Sequence, residues 1–397
     1  MNVKDFKQAG HWPTLVAAFL YFDASFLVWC LIGSLGNFIA EDFGLTATEK
    51  GLLVATPLLG GALFRVVLGW LADYLGPRRT GLGGIVLTFV PLVLGWLWSD
   101  SLPRMFVVAV LLGVPGASFA VALPLVSRWY PARYQGLAMG IAGAGNSGTV
   151  LAALFMPRLA EAFGWHAAIA LAMVPMTIAG AVFFRWAHDS PHQPPPRRAG
   201  DYTRLLREID TGWFCLLYSI TFGGFVGLAS VLGIFFRDQY GLSKVAAGDL
   251  TAVCVLAGSL MRPVGGMLSD RMGGIRVMSW LYALAAVLLL AISRLLPVEL
   301  ATLLFFAALA VLGAGNGAVF QLVSQRFREQ IGVVTGLVGA AGGLGGFFLP
   351  SALGVLKDTT GTYASGLLAF ALVCLWGMTL VVALSPGWRL TWAGDRG

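Results

Sequence analysis

Two arginines, Arg65 and Arg262, each interrupt an otherwise apolar stretch of the sequence. Arg65 lies in GALFRVVLGWLADYLGPRR, residues 61–79, and Arg262 lies in LAGSLMRPVGGMLSDRMGGIR, residues 256–276. In both stretches an aspartate follows eight residues after the arginine, and the two copies are 197 residues apart (262 − 65). A guanidinium stays charged and presents a planar set of N–H donors, so two such groups could bind a small anion.

The elements that carry these arginines are predicted to be membrane helices. Hydrophobic residues make up 58% of the 397 residues and charged residues only 11%, whereas a soluble domain carries about 25% charged residues. The mean hydropathy is +0.81, and about 20 mostly apolar residues are enough to cross a bilayer. We therefore predict an all-α membrane protein with twelve transmembrane helices, near residues 14–39, 50–72, 80–98, 104–127, 136–157, 165–187, 211–235, 245–269, 276–294, 299–325, 332–356 and 361–385.

The distribution of basic residues predicts the orientation of the chain in its membrane. If the N-terminus is cytoplasmic, the inner loops and tails hold 17 lysines and arginines, the outer loops hold 7, and Arg65 and Arg262 complete the 26. Cytoplasmic loops are enriched in basic residues, so we expect both termini in the cytoplasm and a multi-pass protein of the cytoplasmic (inner) membrane. This distribution accounts for the net charge of +7 without a nucleic acid partner.

The residue types that usually perform catalysis or bind metals form no recognisable constellation in the sequence. The four cysteines all fall within predicted spans, and none is at metal-binding or redox spacing. The four histidines lie at span ends or in loops. We therefore expect no metal site, no cofactor and no enzymatic activity.

The chain is predicted to consist of two related halves. Residues 188–210 contain three consecutive prolines and a basic cluster, which is typical of a cytoplasmic linker, and they separate six-helix bundles at residues 1–187 and 211–397. Four residues recur at an offset of 197, in the pairs Arg65 and Arg262, Gly69 and Gly266, Asp73 and Asp270, and Gly76 and Gly273. Duplicated six-helix halves are a transporter architecture, with the substrate site at mid-membrane between them.

The loops after the second and eighth spans carry a family motif. They read GWLADYLGPRR and GGMLSDRMGGIR, and both resemble the G-x-L-x-D-R-x-G-R-R loop of the major facilitator superfamily. The first copy departs from the motif at Tyr74, where that family usually has a basic residue. The resemblance implies the major facilitator fold of two pseudo-symmetric six-helix bundles. We expect Asp73 and Asp270, at helix ends near basic residues, to latch the inward helix ends together.

Glycine-rich segments occupy equivalent places in the two halves. GLAMGIAGAGNSG, residues 136–148, opens span 5, and GLVGAAGGLGGFFLP, residues 336–350, lies in span 11. Glycines at steps of three and four form a stripe on each helix; they include Gly140, Gly143, Gly336, Gly339 and Gly343. Two interpretations stay open, because such glycines either let helices pack closely or line a narrow path and loosen a helix that must move.

The paired glycine segments resemble the signature segments of the nitrate/nitrite porter family within the same superfamily. That resemblance covers nearly the whole chain, and it implies a set of substrate-binding residues: Arg65, Arg262, Asn146, Tyr218, Phe119 and Phe222. It also implies that Phe119 and Phe222 cover the faces of a planar anion. Nitrate and nitrite are then the expected substrates, and a planar monoanion with three acceptor oxygens suits two arginine forks.

Alternatives to nitrate transport stay open at this stage. A carrier of another small organic anion, such as a carboxylate, would also use paired arginines. A membrane sensor or enzyme without transport would need an output domain or catalytic cluster, which the chain lacks. We expect a carrier that works by alternating access, as a monomer in the lipid bilayer.

Asp23, in FDASFLVW, is the one acidic residue predicted to lie deep in a span. It follows Pro13 by ten residues, which places it roughly 15 Å along the first helix, and a carboxylate at that depth is usually functional. We predict that Asp23 takes part in proton coupling and that nitrate enters with protons, rather than in exchange for nitrite. The other interpretation is a permanent counter-ion or a helix cap.

Overall fold

Long apolar helices build most of the described chain. The computed structural model describes residues 3–191, 204–327 and 331–394, so most of the predicted linker, residues 192–203, lies outside the described residues. Within the described part, twelve helices are long and apolar enough to cross a membrane, which confirms the predicted number and class. Numbered as spans 1 to 12, they are Trp12–Phe43, Ala47–Tyr74, Pro77–Leu97, Leu102–Ser127, Leu137–Phe163, Trp165–Trp186, Ile209–Tyr240, Lys244–Met272, Gly274–Ile292, Val298–Arg326, Val333–Thr360 and Ala364–Trp388.

The bundle has two ends, which are named here by the chain segments they carry. The linker end carries residues 74–77, 127–132, 186–191, 204–209 and 272–274, and the far end carries residues 43–47, 163–165, 240–244 and 360–364. At the linker end, Gly76 and Gly273 have φ values of 90° and 88°. Residues with side chains rarely adopt this conformation, which explains why both loops of the repeated motif have glycine there.

Several spans of the first half are interrupted helices. Span 1 breaks at Cys30, and span 5 contains a 3-10 turn at Ala144–Ser147. Span 4 consists of the pieces Leu102–Leu111, Gly113–Gly116 and Phe119–Ser127. In its tight middle turn the Ala120 amide donates to the Ala117 carbonyl at 3.0 Å. Because a regular helix would direct that amide to residue 116, the break leaves the Gly116 carbonyl available to a side chain.

The two halves meet along helix pairs that contain glycine. Span 2 packs against span 11, span 5 against span 8, and span 1 against span 7. A Cβ atom added at Gly51 would lie 2.4 Å from the Pro350 carbonyl oxygen, and one added at Gly354 would lie 2.3 Å from the Ala47 carbonyl oxygen. Such contacts need glycine, so the far end of the span 2 and span 11 interface is closed by direct backbone packing.

Polar contacts at the far end also join the two halves. Lys50 of span 2 pairs with Asp238 of span 7 at 3.0 Å, and Arg158 of span 5 pairs with Asp249 of span 8 at 2.6 Å. Lys244 of span 8 pairs with Glu41 of span 1. Asp358 of span 11 accepts from the first amides of span 2, Ala47 at 3.2 Å and Thr48 at 2.7 Å. We call these contacts the far-end lock.

Candidate functional site

Arg65 is buried in the middle of the bundle, with 1% of its surface exposed. Its Nε donates to the Gly116 carbonyl at 3.0 Å, and its Nη1 donates to the Gly339 carbonyl of the other half at 2.5 Å. Its Nη2 has no hydrogen-bond partner among the described residues. A buried cationic donor without a partner is costly, so this atom marks a position where a ligand oxygen would be favourable.

Aromatic rings enclose the Arg65 guanidinium. Its Cζ lies 5.0 Å from the ring centre of Trp29, 5.1 Å from that of Phe222 and 5.7 Å from that of Phe119. Rings at these distances attract a cation without supplying a negative charge. They therefore help to hold a buried guanidinium while leaving its charge uncompensated.

Arg262 approaches the same place from the second half. Its Cζ lies 5.5 Å from the ring centre of Phe119 and 5.5 Å from that of Phe320, and its Nη2 donates to the Tyr218 hydroxyl at 3.4 Å. Phe119 is thus close to both guanidinium groups. Neither arginine forms an ion pair with a described carboxylate, so this part of the molecule carries excess positive charge.

An aromatic stack forms the wall beside the arginines. Tyr218 stacks on Phe222 with ring centres 5.1 Å apart and an angle of 6°, and Phe222 stacks on Trp29 at 6.5 Å and 13°. The Trp29 indole donates to the Pro57 carbonyl at 2.7 Å, which fixes its orientation. Gly342 of span 11 lies against this stack, since a Cβ there would come within 2.6 Å of the Tyr218 ring and 2.9 Å of the Phe222 ring.

Asn146 lies in the 3-10 turn of span 5 and is 1% exposed. Neither its amide nitrogen nor its carbonyl oxygen has a hydrogen-bond partner among the described residues. The turn packs against span 1, where Gly145 faces Phe22, and it also contacts span 8, which carries Arg262. Buried amides normally have partners, so the free amide of Asn146 fits a ligand-binding role.

Asp23 faces span 5 instead of an arginine. Its carboxylate accepts a hydrogen bond from the Ser147 hydroxyl at 2.6 Å, one residue beyond Asn146. Its side chain is half-buried, and no described ion pair connects it to Arg65 or Arg262. A change at Asp23 would therefore reach the site through the 3-10 turn of span 5.

The glycines of the two signature segments differ in their surroundings. Gly339 lies against Phe119 and Gly343 against Ala62 of span 2, with added Cβ atoms at 3.4 Å and 3.0 Å from them. In contrast, an added Cβ at Gly140, Gly143 or Gly336 would meet no described atom within 4 Å. The first two glycines fit the packing interpretation, whereas the last three leave open space in this conformation.

A narrow cavity between the halves runs from Arg65 towards the linker end. Its walls are formed by residues of spans 2, 4 and 11, namely Arg65, Val66, Gly69, Asp73, Phe119, Ala120, Pro124, Thr335, Gly336 and Leu337. Together with the far-end lock, this cavity indicates a conformation that is closed at the far end, with space between the halves on the linker side of Arg65.

The two motif aspartates have different surroundings. Asp73 pairs with Arg128 at the end of span 4, at 2.6 Å, and this ion pair joins two helices of the first half. Asp270 is exposed, and no ion pair is described for it within the part of the chain that the structure describes. The latch expected for the two aspartates stays a prediction.

Three contributors to the site were not predicted from the sequence: Trp29, Phe320 and the Gly116 carbonyl. Trp29 carried a usable signal, because an indole N–H inside an apolar span must find an acceptor. Phe320 is one of 26 phenylalanines, and its type alone indicates nothing. The Gly116 carbonyl becomes available only because span 4 is interrupted.

Comparisons with known proteins show which family the chain is similar to. Residues 17–350 match the Major Facilitator Superfamily. The chain is similar to the probable nitrate/nitrite transporter NarK2 of Mycobacterium tuberculosis, with 37% identity over 92% of this chain and 94% of that protein. It is also similar to the nitrite extrusion protein of Bacillus subtilis, with 31% identity over 90% of this chain and 91% of that protein.

A solved structure shares the fold. It is a bacterial homologue of the human lysosomal transporter Spinster, crystallised in an inward-facing and occupied conformation, with a TM-score of 0.65. The match covers 93% of this chain and 94% of that chain at 17% identity. The chain therefore belongs to the Major Facilitator Superfamily, in the nitrate/nitrite porter family that its motifs resemble.

Proposed function

We propose that this protein carries nitrate, and also nitrite, across the cytoplasmic membrane by alternating access, and that it takes up nitrate together with protons. The observation that carries the proposal is the unpartnered Nη2 of buried Arg65, beside a second arginine and without a carboxylate counter-ion. Such a centre requires an anion. The names of the similar proteins support nitrate and nitrite as that anion.

The geometry favours a small planar anion. Arg65 has two of its donor nitrogens bound to carbonyls, so it offers Nη2 to a ligand, whereas Arg262 is partly exposed and has more donors free. Phe119 and Phe222 contribute flat apolar surfaces close to the guanidinium groups. Nitrate can accept hydrogen bonds in its plane while its faces contact aromatic rings, whereas a tetrahedral phosphate or sulfate has no apolar face to offer.

Transport requires that the site open to each side of the membrane in turn. The far-end lock closes one side here, and the cavity extends towards the other. With both termini in the cytoplasm, as the basic loops predict, this conformation faces the cytoplasm. Arg65 already contacts span 11 through Gly339, so a ligand at Nη2 would stabilise contact between the halves.

Proton coupling is proposed for Asp23 because of its connection to the site. Uptake of a monovalent anion against a potential that is negative inside costs about 2.3 kcal/mol per 100 mV, and co-transported protons remove that cost. Protonation of Asp23 would change its hydrogen bond with Ser147, next to Asn146. Nitrate/nitrite exchange, the second candidate, needs no titrating group.

The experiment is flux into vesicles that contain the purified protein. Nitrate uptake with an imposed pH gradient, acid outside, is expected to exceed uptake without it, and formate, oxalate and phosphate are expected to compete weakly. Asp23→Asn should lose the response to the gradient and keep nitrate exchange. A parent protein that only exchanges nitrate for nitrite, with no response to pH, would refute symport. Strong inhibition by formate or oxalate would favour the organic-anion carrier.

A further inference from the structure

We propose that Asn316, on span 10, supplies a second side-chain amide to the anion site, opposite Asn146. This inference rests on the proposed function. Asn316 is 1% exposed, and its carbonyl oxygen has no hydrogen-bond partner among the described residues. An amide buried without partners destabilises a fold unless a ligand or another conformation satisfies it.

The glycines on both sides of Asn316 locate it. A Cβ at Gly315 would lie 2.7 Å from the Thr221 side chain on span 7, and a Cβ at Gly317 would lie 2.0 Å from the Arg262 carbonyl oxygen on span 8. Span 10 therefore touches span 7 on one side of Asn316 and span 8 on the other. Successive helix residues differ by about 100°, so Asn316 lies on the side between these contacts.

Phe320 identifies what that side faces. It follows Asn316 by four residues and so shares its helix face. The Phe320 ring centre lies 5.5 Å from the Arg262 Cζ and 4.9 Å from the Tyr218 ring centre. Asn316 lies one helical turn closer to the far end than Phe320 does. Its neighbour Gly315 contacts Thr221, so Asn316 lies at the same depth in the bundle as Thr221 and Phe222. The Phe222 ring is one of those that contact Arg65. Asn316 therefore borders the space between the two arginines.

The equivalent helix of the first half shows what this position does for an arginine. A Cβ added at Gly113 would lie 2.1 Å from the carbonyl carbon of Gly60, and a Cβ added at Gly313 would lie 2.0 Å from the carbonyl oxygen of Gly258. Three residues after Gly113 comes Gly116, whose carbonyl accepts a hydrogen bond from Arg65 Nε. Three residues after Gly313 comes Asn316, which therefore occupies the equivalent position in the second half. The position that supplies a backbone acceptor in span 4 of the first half thus carries a side-chain amide in span 10 of the second half.

An amide suits this position because it has both an acceptor and donors. Its carbonyl oxygen can accept from Arg262, and its NH₂ group can donate to an oxygen of the anion. A neutral donor adds binding energy without adding charge, and a carboxylate of the same shape would repel the anion. Asn316 would thereby contribute to affinity and selectivity from the second half.

Two variants and one control test the assignment. Asn316→Leu removes hydrogen bonding at similar volume, and Asn316→Asp keeps the shape but adds a negative charge. Thr251→Val is the control, because the Thr251 hydroxyl is buried on the same half and its one hydrogen bond among the described residues is to Ala247 of its own helix. The measurement is the nitrate concentration dependence of the melting temperature of purified protein, with nitrate exchange in vesicles alongside.

We expect Asn316→Leu to raise the nitrate Kd about 10-fold, the effect of one lost hydrogen bond to an ion. Asn316→Asp should abolish nitrate-dependent stabilisation, and Thr251→Val should keep the parent Kd. An Asn316→Leu protein with the parent Kd and exchange rate would overturn the assignment while the proposed function stands. If that variant fails to fold, a folded Asn316→Asp protein that still binds nitrate normally would overturn it. A parent that does not bind nitrate would refute the proposed function itself.

Discussion

At the scale of single residues, the site depends on how each arginine donor is used. Arg65 uses two nitrogens to hold its own position on carbonyls of spans 4 and 11, and its third nitrogen has no partner among the described residues. Arg262 is more exposed and touches Tyr218 only at 3.4 Å. In the proposed mechanism Arg65 is therefore a fixed anchor, whereas Arg262 has the freedom to close on a bound anion.

This division predicts that lysine cannot replace either arginine. A lysine at either position keeps the charge. At residue 65 its single nitrogen cannot bind two carbonyls and a ligand in fixed directions, and at residue 262 it lacks the planar fork that could hold an anion. We expect Arg65→Lys and Arg262→Lys each to lower nitrate exchange about 100-fold, as two hydrogen bonds to a charged group are lost, while both variants fold and insert.

Exchange of labelled nitrate in vesicles measures this prediction, and size-exclusion profiles check folding. Arg104→Lys is the control, because Arg104 is exposed and pairs with Asp100 four residues earlier. Normal exchange by either lysine variant would show that the fork geometry is not required.

At the scale of elements, interruptions and glycines shape the helices around the site. The break in span 4 frees a carbonyl for Arg65, and the 3-10 turn of span 5 carries Asn146. In span 11, Gly342 makes room for the aromatic stack. By contrast, open space surrounds Gly140, which indicates that its lack of a side chain is not needed for packing in this conformation.

The contrast between these glycines can be tested by alanine substitution. Gly342→Ala places a methyl group 2.6 Å from the Tyr218 ring, so we expect it to lower the melting temperature and to weaken nitrate binding. Gly140→Ala should leave the melting temperature unchanged or raise it, because alanine favours helix by up to about 1 kcal/mol.

Transport by Gly140→Ala then separates the two interpretations of the glycine stripe. Loss of transport with normal stability would show that Gly140 is required in another conformation of the cycle. Normal transport would show that no step of the transport cycle requires the open space beside Gly140. A Gly342→Ala protein as stable as the parent would contradict the packing at the aromatic stack.

The start of span 1 is capped by His11. The His11 ring accepts from the Thr14 amide at 3.3 Å, stacks on Trp129 at 4.9 Å and lies 5.4 Å from His188. Burial lowers the pKa of His11 below its usual value of 6.5, and repulsion from His188 lowers it further. The folded protein then binds fewer protons at His11 than the unfolded chain just below pH 6.5, so stability falls as the pH falls through that window.

His11→Asn should remove this pH dependence and keep the cap, because asparagine is a good N-cap residue. We expect the fall in melting temperature between pH 7.5 and pH 5.5 to be smaller in the variant than in the parent, with similar values at pH 7.5. An equal fall in both proteins would mean that His11 does not contribute to the pH dependence.

At the scale of the whole molecule, the two halves are held together at one end. Four described ion pairs and the capping of span 2 by Asp358 cross between the halves at the far end. The described ion pairs of the linker end, such as those of Asp73 with Arg128 and of Asp210 with Arg326, each join helices of the same half. The far-end lock therefore favours the conformation seen here over its alternative.

A charge swap at Lys50 and Asp238 tests the lock. Their side chains are 20% and 22% exposed, and an ion pair of this kind contributes up to about 1 kcal/mol. Lys50→Asp should therefore reduce the ratio of protein that is open at the linker end to protein that is closed there by up to about 5-fold. Lys50→Asp combined with Asp238→Lys should restore it.

The fraction of protein that is open at the linker end is measured by cysteine labelling. The native cysteines are removed, a cysteine is placed at Thr335, which lines the cavity, and the rate of its reaction with a polar maleimide is recorded. Slower labelling in Lys50→Asp and recovery in the double variant are the expected results. Equal rates in all three proteins would show that this pair does not influence the conformational equilibrium.

Much of the architecture can be read from the residues alone. In a bilayer every backbone polar group needs an internal partner, so long apolar segments must form helices, and the twelve predicted spans are confirmed. Arg65 and Arg262 occupy equivalent positions of the sequence repeat, which likewise indicated two related halves. Isolated charges in apolar helices seldom occur without function, so the two arginines also indicated a charged site between the halves. These features are local, because composition and spacing along one helix express them.

The partners of the site residues could not be read in this way, because they come from helices distant in sequence. The two acceptors of Arg65 lie 51 and 274 residues away, and the partner of Asp23 lies 124 residues away. Asn316 has no distinguishing sequence motif, and the role we propose for it depends on the contacts of its neighbours with spans 7 and 8. Helix packing brings these groups together, and it sets which donors and acceptors remain free for an anion.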